Sequence, residues 1–306
     1  MNTKADLIGI GRTGCVMRYG DVAVKTTNKW TVPADASEYT TIVYQQMNRS
    51  NEEALKHEGR IYAHLIHVEG VLKPFEISDT EIRMPYVSHR SLDRYLSANK
   101  DTVTNIQRLL WFRSAAEIIS RVHRQRVLVA DIAARNFLVN ADLSLQLCDF
   151  SESIVIPVNQ DLNEFVSESF LTIKFDIARF GSMLFEIVSG HRYEFYVSPE
   201  IEVDLEDGES KTYRQWPTEE KLPDTKDLFL GDIIRKCWLE EGFHSMNDVC
   251  AALYCARAPE EEADVMLDWR YLLGVASPMI IFTILVVRRF PWQKALDALS
   301  FNRAGG

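Results

Sequence analysis

From Leu7 to Lys25, apolar and small residues alternate around a group of glycines, a period of two that predicts a β-hairpin with a further strand behind it. Residues 29–50 are polar and irregular and read as a loop. The period then becomes helical. Leu55, Ile61 and Leu65 mark a helix over 51–67, and Ile106, Leu109, Leu110, Ala116, Ile119 and Val122 mark another over 105–125. Two short apolar runs, 137–139 and 145–148, predict a strand pair around a turn at 140–144. Residues 175–189 form a strongly apolar helix that should lie inside the fold, with Gly190 as its stop. Residues 199–227 are charged and interrupted by prolines, which suits an exposed connection, and 233–238 and 246–254 predict the closing helices. An acidic run follows Ala258, so a domain break is expected near 258.

Chemistry enters with the first hairpin, which carries GIGRTGCV. Gly9, Gly11 and Gly14 let a backbone close over phosphates because no Cβ blocks the approach. A dinucleotide fold would need a helix directly after them, whereas Tyr19-Gly20-Asp21 and the strand VAVK follow. Lys25 ends that strand, where an ammonium reaches the phosphates of a nucleotide, and Glu58 in LKHEGRIYAHL could fix its aim. Glu52 and Glu53 compete for that role, but they lie at the predicted helix start, where a carboxylate serves the helix dipole. Further on, VADIAARNFLV and LQLCDFSES bring Asp131, Asn136 and Asp149 in order. Asp131 could orient an acceptor hydroxyl and take its proton, and Asn136 and Asp149 offer the oxygen ligands that Mg2+ prefers. Arg135 could neutralise a transferring phosphoryl group. Each of these residues alone would suit a turn; the two carboxylates and the amide in this order, with a strand pair between Asn136 and Asp149, point to phosphoryl transfer.

On these motifs, residues 7–255 resemble a eukaryotic-type protein kinase, and the resemblance continues through FDIARFGSMLFEIVSG and IIRKCW. DIAARNFLV followed by LQLCDF is also similar to kinase-like proteins of filamentous fungi. The resemblance implies an α+β, bilobal fold: a small β-rich N-lobe with one main helix over 1–87, a larger mainly helical C-lobe over 88–258, and an appended segment at 259–306. It implies ATP in the cleft, with Mg2+. The hinge from Met84 through Tyr86 to Val87 would meet adenine, Val16 and Ala23 would pack on its ring, and Asp176 would brace the catalytic loop. The expected activity is transfer of the γ-phosphoryl group to a protein hydroxyl, with Ser/Thr against Tyr unresolved and the protein substrate unknown. A pseudokinase scaffold and a small-molecule kinase are the alternatives.

The chain also departs from the family pattern. Val129-Ala130 stand where kinases carry His-Arg, whose arginine clamps a phosphorylated activation segment, so switching by that route is not expected. Ser151 replaces a glycine after Asp149-Phe150 and should make that loop flip less freely. The stretch between Asp149 and Asp176 is short and lacks Ala-Pro-Glu, and its usual arginine partner is replaced within 244–247. Losing both together avoids an unpaired buried charge, and it shortens the platform for a peptide substrate.

Composition narrows the setting. A net charge of -10 excludes a nucleic-acid binder that works by neutralising a phosphate backbone. Five cysteines, odd in number and without a C-x-x-C pair, suit a reducing, cytoplasmic setting, and Cys15 and Cys148 read as buried small hydrophobes. YLLGVASPMIIFTILVV, residues 271–287, is uncharged and flanked by Trp269 and Trp292. It falls just short of the roughly 20 residues that cross a bilayer. Arg288 and Arg289 would lie on the wrong side for a spanning helix below a cytosolic kinase, so the alternatives to spanning are a re-entrant or interfacial helix at the membrane, or a hydrophobic helix docked on the C-lobe.

Overall fold

Alternation does make a sheet. Strands β1 (Asp6–Ile10), β2 (Gly14–Tyr19) and β3 (Val22–Thr27) run antiparallel, and β4 (Glu76–Ile77) and β5 (Glu81–Pro85) complete the order β1-β2-β3-β5-β4. The computed structural model describes residues 5–203 and 210–259. The chain divides into two units, 1–256 and 257–306, and the elements named here lie in the first.

Helix α1 (Glu38–His64) lies against the sheet. Its buried side chains Asn51, Leu55, Glu58, Tyr62 and Leu65 recur every three or four residues, one face of a helix. The helix begins well before 51, so the loop expected over 29–50 is wrong from Glu38 onward. Ser37 caps it by accepting the Thr40 N–H. The missed turns bury nothing; Tyr39, Ile42 and Met47 are exposed, so no apolar period marks them.

The second half is mainly helical: α2 (Leu92–Ala98), α3 (Asn105–Arg124), α4 (Ile173–Ser189), α5 (Gly231–Trp238) and α6 (Met246–Cys255). Short pairs β6 (Val127–Leu128) with β9 (Ile154–Val155), and β7 (Phe137–Val139) with β8 (Leu145–Leu147), frame the loop between α3 and α4. Helix α3 packs on α6 and α4 on α5, with Trp111, Phe112, Ile119, Phe180, Leu184 and Trp238 fully buried between them. Gly190 stops α4 in the left-handed region at φ 73°, which costs glycine little.

Residues 199–227 are more than the exposed connection the pattern suggested. They contain the hairpin β10 (Ser198–Val203) and β11 (Ser210–Gln215), and Trp216, Leu222 and Thr225 are buried. The Trp216 indole N–H donates to the Trp238 carbonyl at 2.6 Å, and its ring lies 4.8 Å from that of Phe195. Isolated anchors of this kind carry no period. Among the described residues no helix is long and apolar enough to cross a membrane, and the 271–287 stretch lies outside them.

Candidate active site

The glycine stretch forms the β1–β2 turn. The Gly11 N–H closes it on the Gly14 carbonyl at 2.8 Å, and the Asn28 side chain donates to the Gly11 carbonyl at 2.9 Å. A Cβ on Gly14 would lie 2.4 Å from the Thr26 carbonyl oxygen, so β2 and β3 tolerate only glycine there. Gly9 pairs with Val16, Val16 with Lys25, and Ala23 with Met84, which carries the predicted nucleotide-contacting positions along adjacent strands. Tyr86 and Val87 follow β5 and are half-buried; the Tyr86 N–H donates to the Asp21 carbonyl at 2.8 Å, and the Arg18 guanidinium covers its ring at 3.9 Å.

Burial brings the charged residues together. Lys25 is buried on β3, with Nζ 2.6 Å from Glu58 Oε2 and 2.8 Å from Asp149 Oδ1. Glu58 sits on the buried face of α1, whereas Glu52 pairs loosely with exposed Lys29 and Glu53 faces solvent. Burial alone would lower the Lys25 ammonium, but the Glu58 and Asp149 carboxylates outweigh it and raise the group above its ordinary value. Burial pushes Glu58 up to about 7; Lys25 pulls it down only in part, and the Asp149 charge adds to the rise. Asp149 goes the other way: burial opposes ionisation, but Lys25 and the Ser151 hydrogen bonds hold it below its usual value.

Asp131 follows a turn in which Ala130 takes φ 65°. That strained backbone is held from beneath. The Val129 and Ala130 N–H groups each donate to the buried Asp176 carboxylate at 2.8 Å, and His123 Nε2 lies 2.8 Å from the same group. Arg135 grips both Asp131 oxygens, at 2.5 and 2.7 Å, and Arg179 Nη2 lies 3.6 Å away. The Asn136 amide nitrogen donates to the Asp131 carbonyl at 2.8 Å and to its carboxylate at 2.9 Å. The amide oxygen of Asn136 is therefore the end left for a cation. Among the described residues no group of three or more His, Cys, Asp or Glu could hold a metal alone. Two hard oxygens from Asn136 and Asp149 nevertheless fit Mg2+, which keeps waters and takes further ligands from nucleotide phosphates.

Four contributors escaped sequence reasoning: His123, Arg179, Tyr62, whose hydroxyl accepts the Asp149 N–H at 3.1 Å, and Arg126. Arg126 donates to the Ile156, Pro157 and Gln160 carbonyls, pinning the stretch after β9. Their partners lie far along the chain, as Asp176 does from His123 and Asp149 from Tyr62, so no local spacing could have shown them. Cys15 and Cys148 are half-buried rather than buried. Burial, with the Asp149 charge, pushes the Cys148 thiol well up, so it is no reactive thiolate.

The sequence profile of protein tyrosine and serine/threonine kinases matches residues 6–242. The chain is 24% identical to Cysteine-rich receptor-like protein kinase 7 of Arabidopsis thaliana over 222 residues, 64% of this chain and 33% of that protein. It is 25% identical to human Ephrin type-A receptor 1 over 196 residues, 58% of this chain and 19% of that protein. With Fer-related kinase 1 of Caenorhabditis elegans it shares 33% identity over 119 residues, 35% of this chain and 30% of that protein. The matches thus span a third or less of each relative. A profile that covers most of the chain, laid over this constellation, places it in the protein tyrosine and serine/threonine kinase family.

Proposed function

We propose that the chain is an active kinase that transfers the γ-phosphoryl group of Mg-ATP to a protein hydroxyl. The observation that carries this reading is Lys25, buried and within 2.8 Å of both Glu58 and Asp149, three residues from three separate elements already assembled. Lys25 presents its ammonium to the nucleotide phosphates, and Glu58 fixes its aim. Asn136 and Asp149 would hold Mg2+, which when bound draws negative charge from those phosphates. Asp131 orients the acceptor hydroxyl and takes its proton. Its carboxylate is engaged by Arg135, a half-exposed side chain able to exchange Asp131 for the transferring phosphoryl group. No phosphorylated arginine clamp is required, because Arg126 holds the following stretch through carbonyl oxygens.

One observation favours a second reading, a pseudokinase. Both Asp131 oxygens are occupied, by Arg135 and by Asn136, so an acceptor meets no free base unless Arg135 swings away. Incubating the full chain with labelled ATP and Mg2+, beside Asp131→Ala, separates the two. Label on the wild type alone supports transfer; a Mg-dependent thermal shift without label establishes the scaffold instead.

A further inference from the structure

The stretch Asp149-Phe150-Ser151 is unusual in two ways that fit each other. Asp149 is a non-glycine residue at φ 64°, a backbone conformation that persists only when its surroundings fix it. Ser151, with its hydroxyl, follows where the sequence pattern led to an expectation of glycine. The surroundings supply the constraint from two sides. Tyr62, fully buried on α1, accepts the Asp149 N–H at 3.1 Å, and its ring meets Phe150 edge-on, with centroids 5.1 Å apart. The Ser151 hydroxyl donates to Asp149 Oδ1 at 2.9 Å, and its N–H lies 3.4 Å from the same oxygen. Lys25 Nζ also reaches Oδ1, so these donors converge on one oxygen of the carboxylate and orient the other.

We propose that Tyr62 and Ser151 are positioning residues for Asp149: Tyr62 latches its backbone to α1, and Ser151 sets the rotation of its carboxylate toward a nucleotide-bound divalent cation. The coupling makes α1 and the cation site a single unit. A swing of α1 that withdraws Glu58 from Lys25 also withdraws the acceptor of the Asp149 N–H. The Tyr62 hydroxyl stays neutral, since burial first, then the neighbouring Glu58 and Asp149 carboxylates, raise it well above its ordinary value. The cation half of this inference rests on the nucleotide-binding reading above; the backbone half does not.

Two measurements on the full chain separate those halves. Hydrogen exchange without ligand reads the latch. Tyr62→Phe keeps the ring against Phe150 and removes only the oxygen, so exchange across 148–152 should quicken about tenfold, one lost hydrogen bond, while α1 stays as protected as before. Unchanged exchange across 148–152 would overturn the latch. Calorimetric titration with ADP, in Mg2+ and in EDTA, reads the carboxylate. Ser151→Ala should weaken binding severalfold in Mg2+ and leave it unaltered in EDTA, and Ser151→Thr, which keeps the hydroxyl, should restore it. Equal weakening in both buffers, or none in Mg2+, would overturn the role of Ser151. If the wild type binds no ADP in either buffer, the nucleotide-binding reading fails together with the Ser151 assignment, and the exchange experiment still decides Tyr62.

Discussion

Asp176 shows how much one buried carboxylate can carry. It has no solvent exposure, yet three donors from two other segments meet it: the N–H groups of Val129 and Ala130 and the His123 ring. Position in the first turn of α4 adds the favourable end of the helix dipole. Asp176→Ala leaves two buried N–H groups without an acceptor, at about 1–3 kcal/mol each. Chemical denaturation should therefore show a loss of at least about 2 kcal/mol, with Asp176→Asn, which keeps one acceptor, falling between. Glu58 offers a test with an unusual sign. Its folded value, about 7, stands above the ordinary carboxylate value of 4.5, so it binds a proton more readily folded than unfolded. The stability this adds is complete below about 4.5 and is lost as pH rises through about 7. Lys25, raised above its ordinary value, changes nothing in that window. In the chain without nucleotide or metal, Glu58→Gln should flatten the fall in melting temperature from about pH 4 to about pH 8, a range that brackets that window. An unflattened profile would show that Glu58 titrates elsewhere.

At the scale of elements, the stretch after Asp149 is held by main-chain contacts. β9 pairs with β6, the Ser153 hydroxyl donates to the Val129 carbonyl at 3.0 Å, and Arg126 spans three further carbonyls. Arg126→Ala should expose residues 156–166 to limited proteolysis, while phosphatase treatment of the wild type should change nothing; cleavage that follows phosphatase instead would assign the ordering to a phosphate. The same elements show what can be read without coordinates. Helices α3, α4, α5 and α6 were legible because each buries a periodic face, as Leu109, Phe112, Ala116 and Ile119 do on α3. The first turns of α1 were not, because a helix with both faces wet shows only its Ser37 cap. Nor was the 199–227 region, where single anchors such as Trp216 replace a pattern. At the candidate site, Lys25, Asp131, Asn136 and Asp149 could be singled out because phosphoryl transfer calls for those residue types and the family pattern gives their order, and the fold brings them together. Tyr62, His123, Arg126 and Arg179 matter only through proximity, which linear spacing does not encode.

At the scale of the molecule, residues 6–242 carry a kinase domain, and the chain matches its relatives over that domain rather than over their full lengths. Whether this chain transfers phosphate, and to what acceptor, therefore has to be read from this site. Arg179 of α4 reaches toward both Asp131 and Glu194, at 3.6 and 3.3 Å. Departures from the family pattern fall at Val129-Ala130, at Ser151 and at the missing Ala-Pro-Glu, while the lysine, the carboxylates and the glycine turn stay assembled. The most direct measurement is the initial rate of phosphate transfer from labelled Mg-ATP to protein by the purified chain, beside Asp131→Ala and Lys25→Ala. The account predicts measurable wild-type transfer that falls at least about a hundredfold in each variant, as loss of a general base or an electrostatic clamp does. Wild-type transfer no faster than that of Asp131→Ala, in a chain that still binds Mg-ATP, would contradict it.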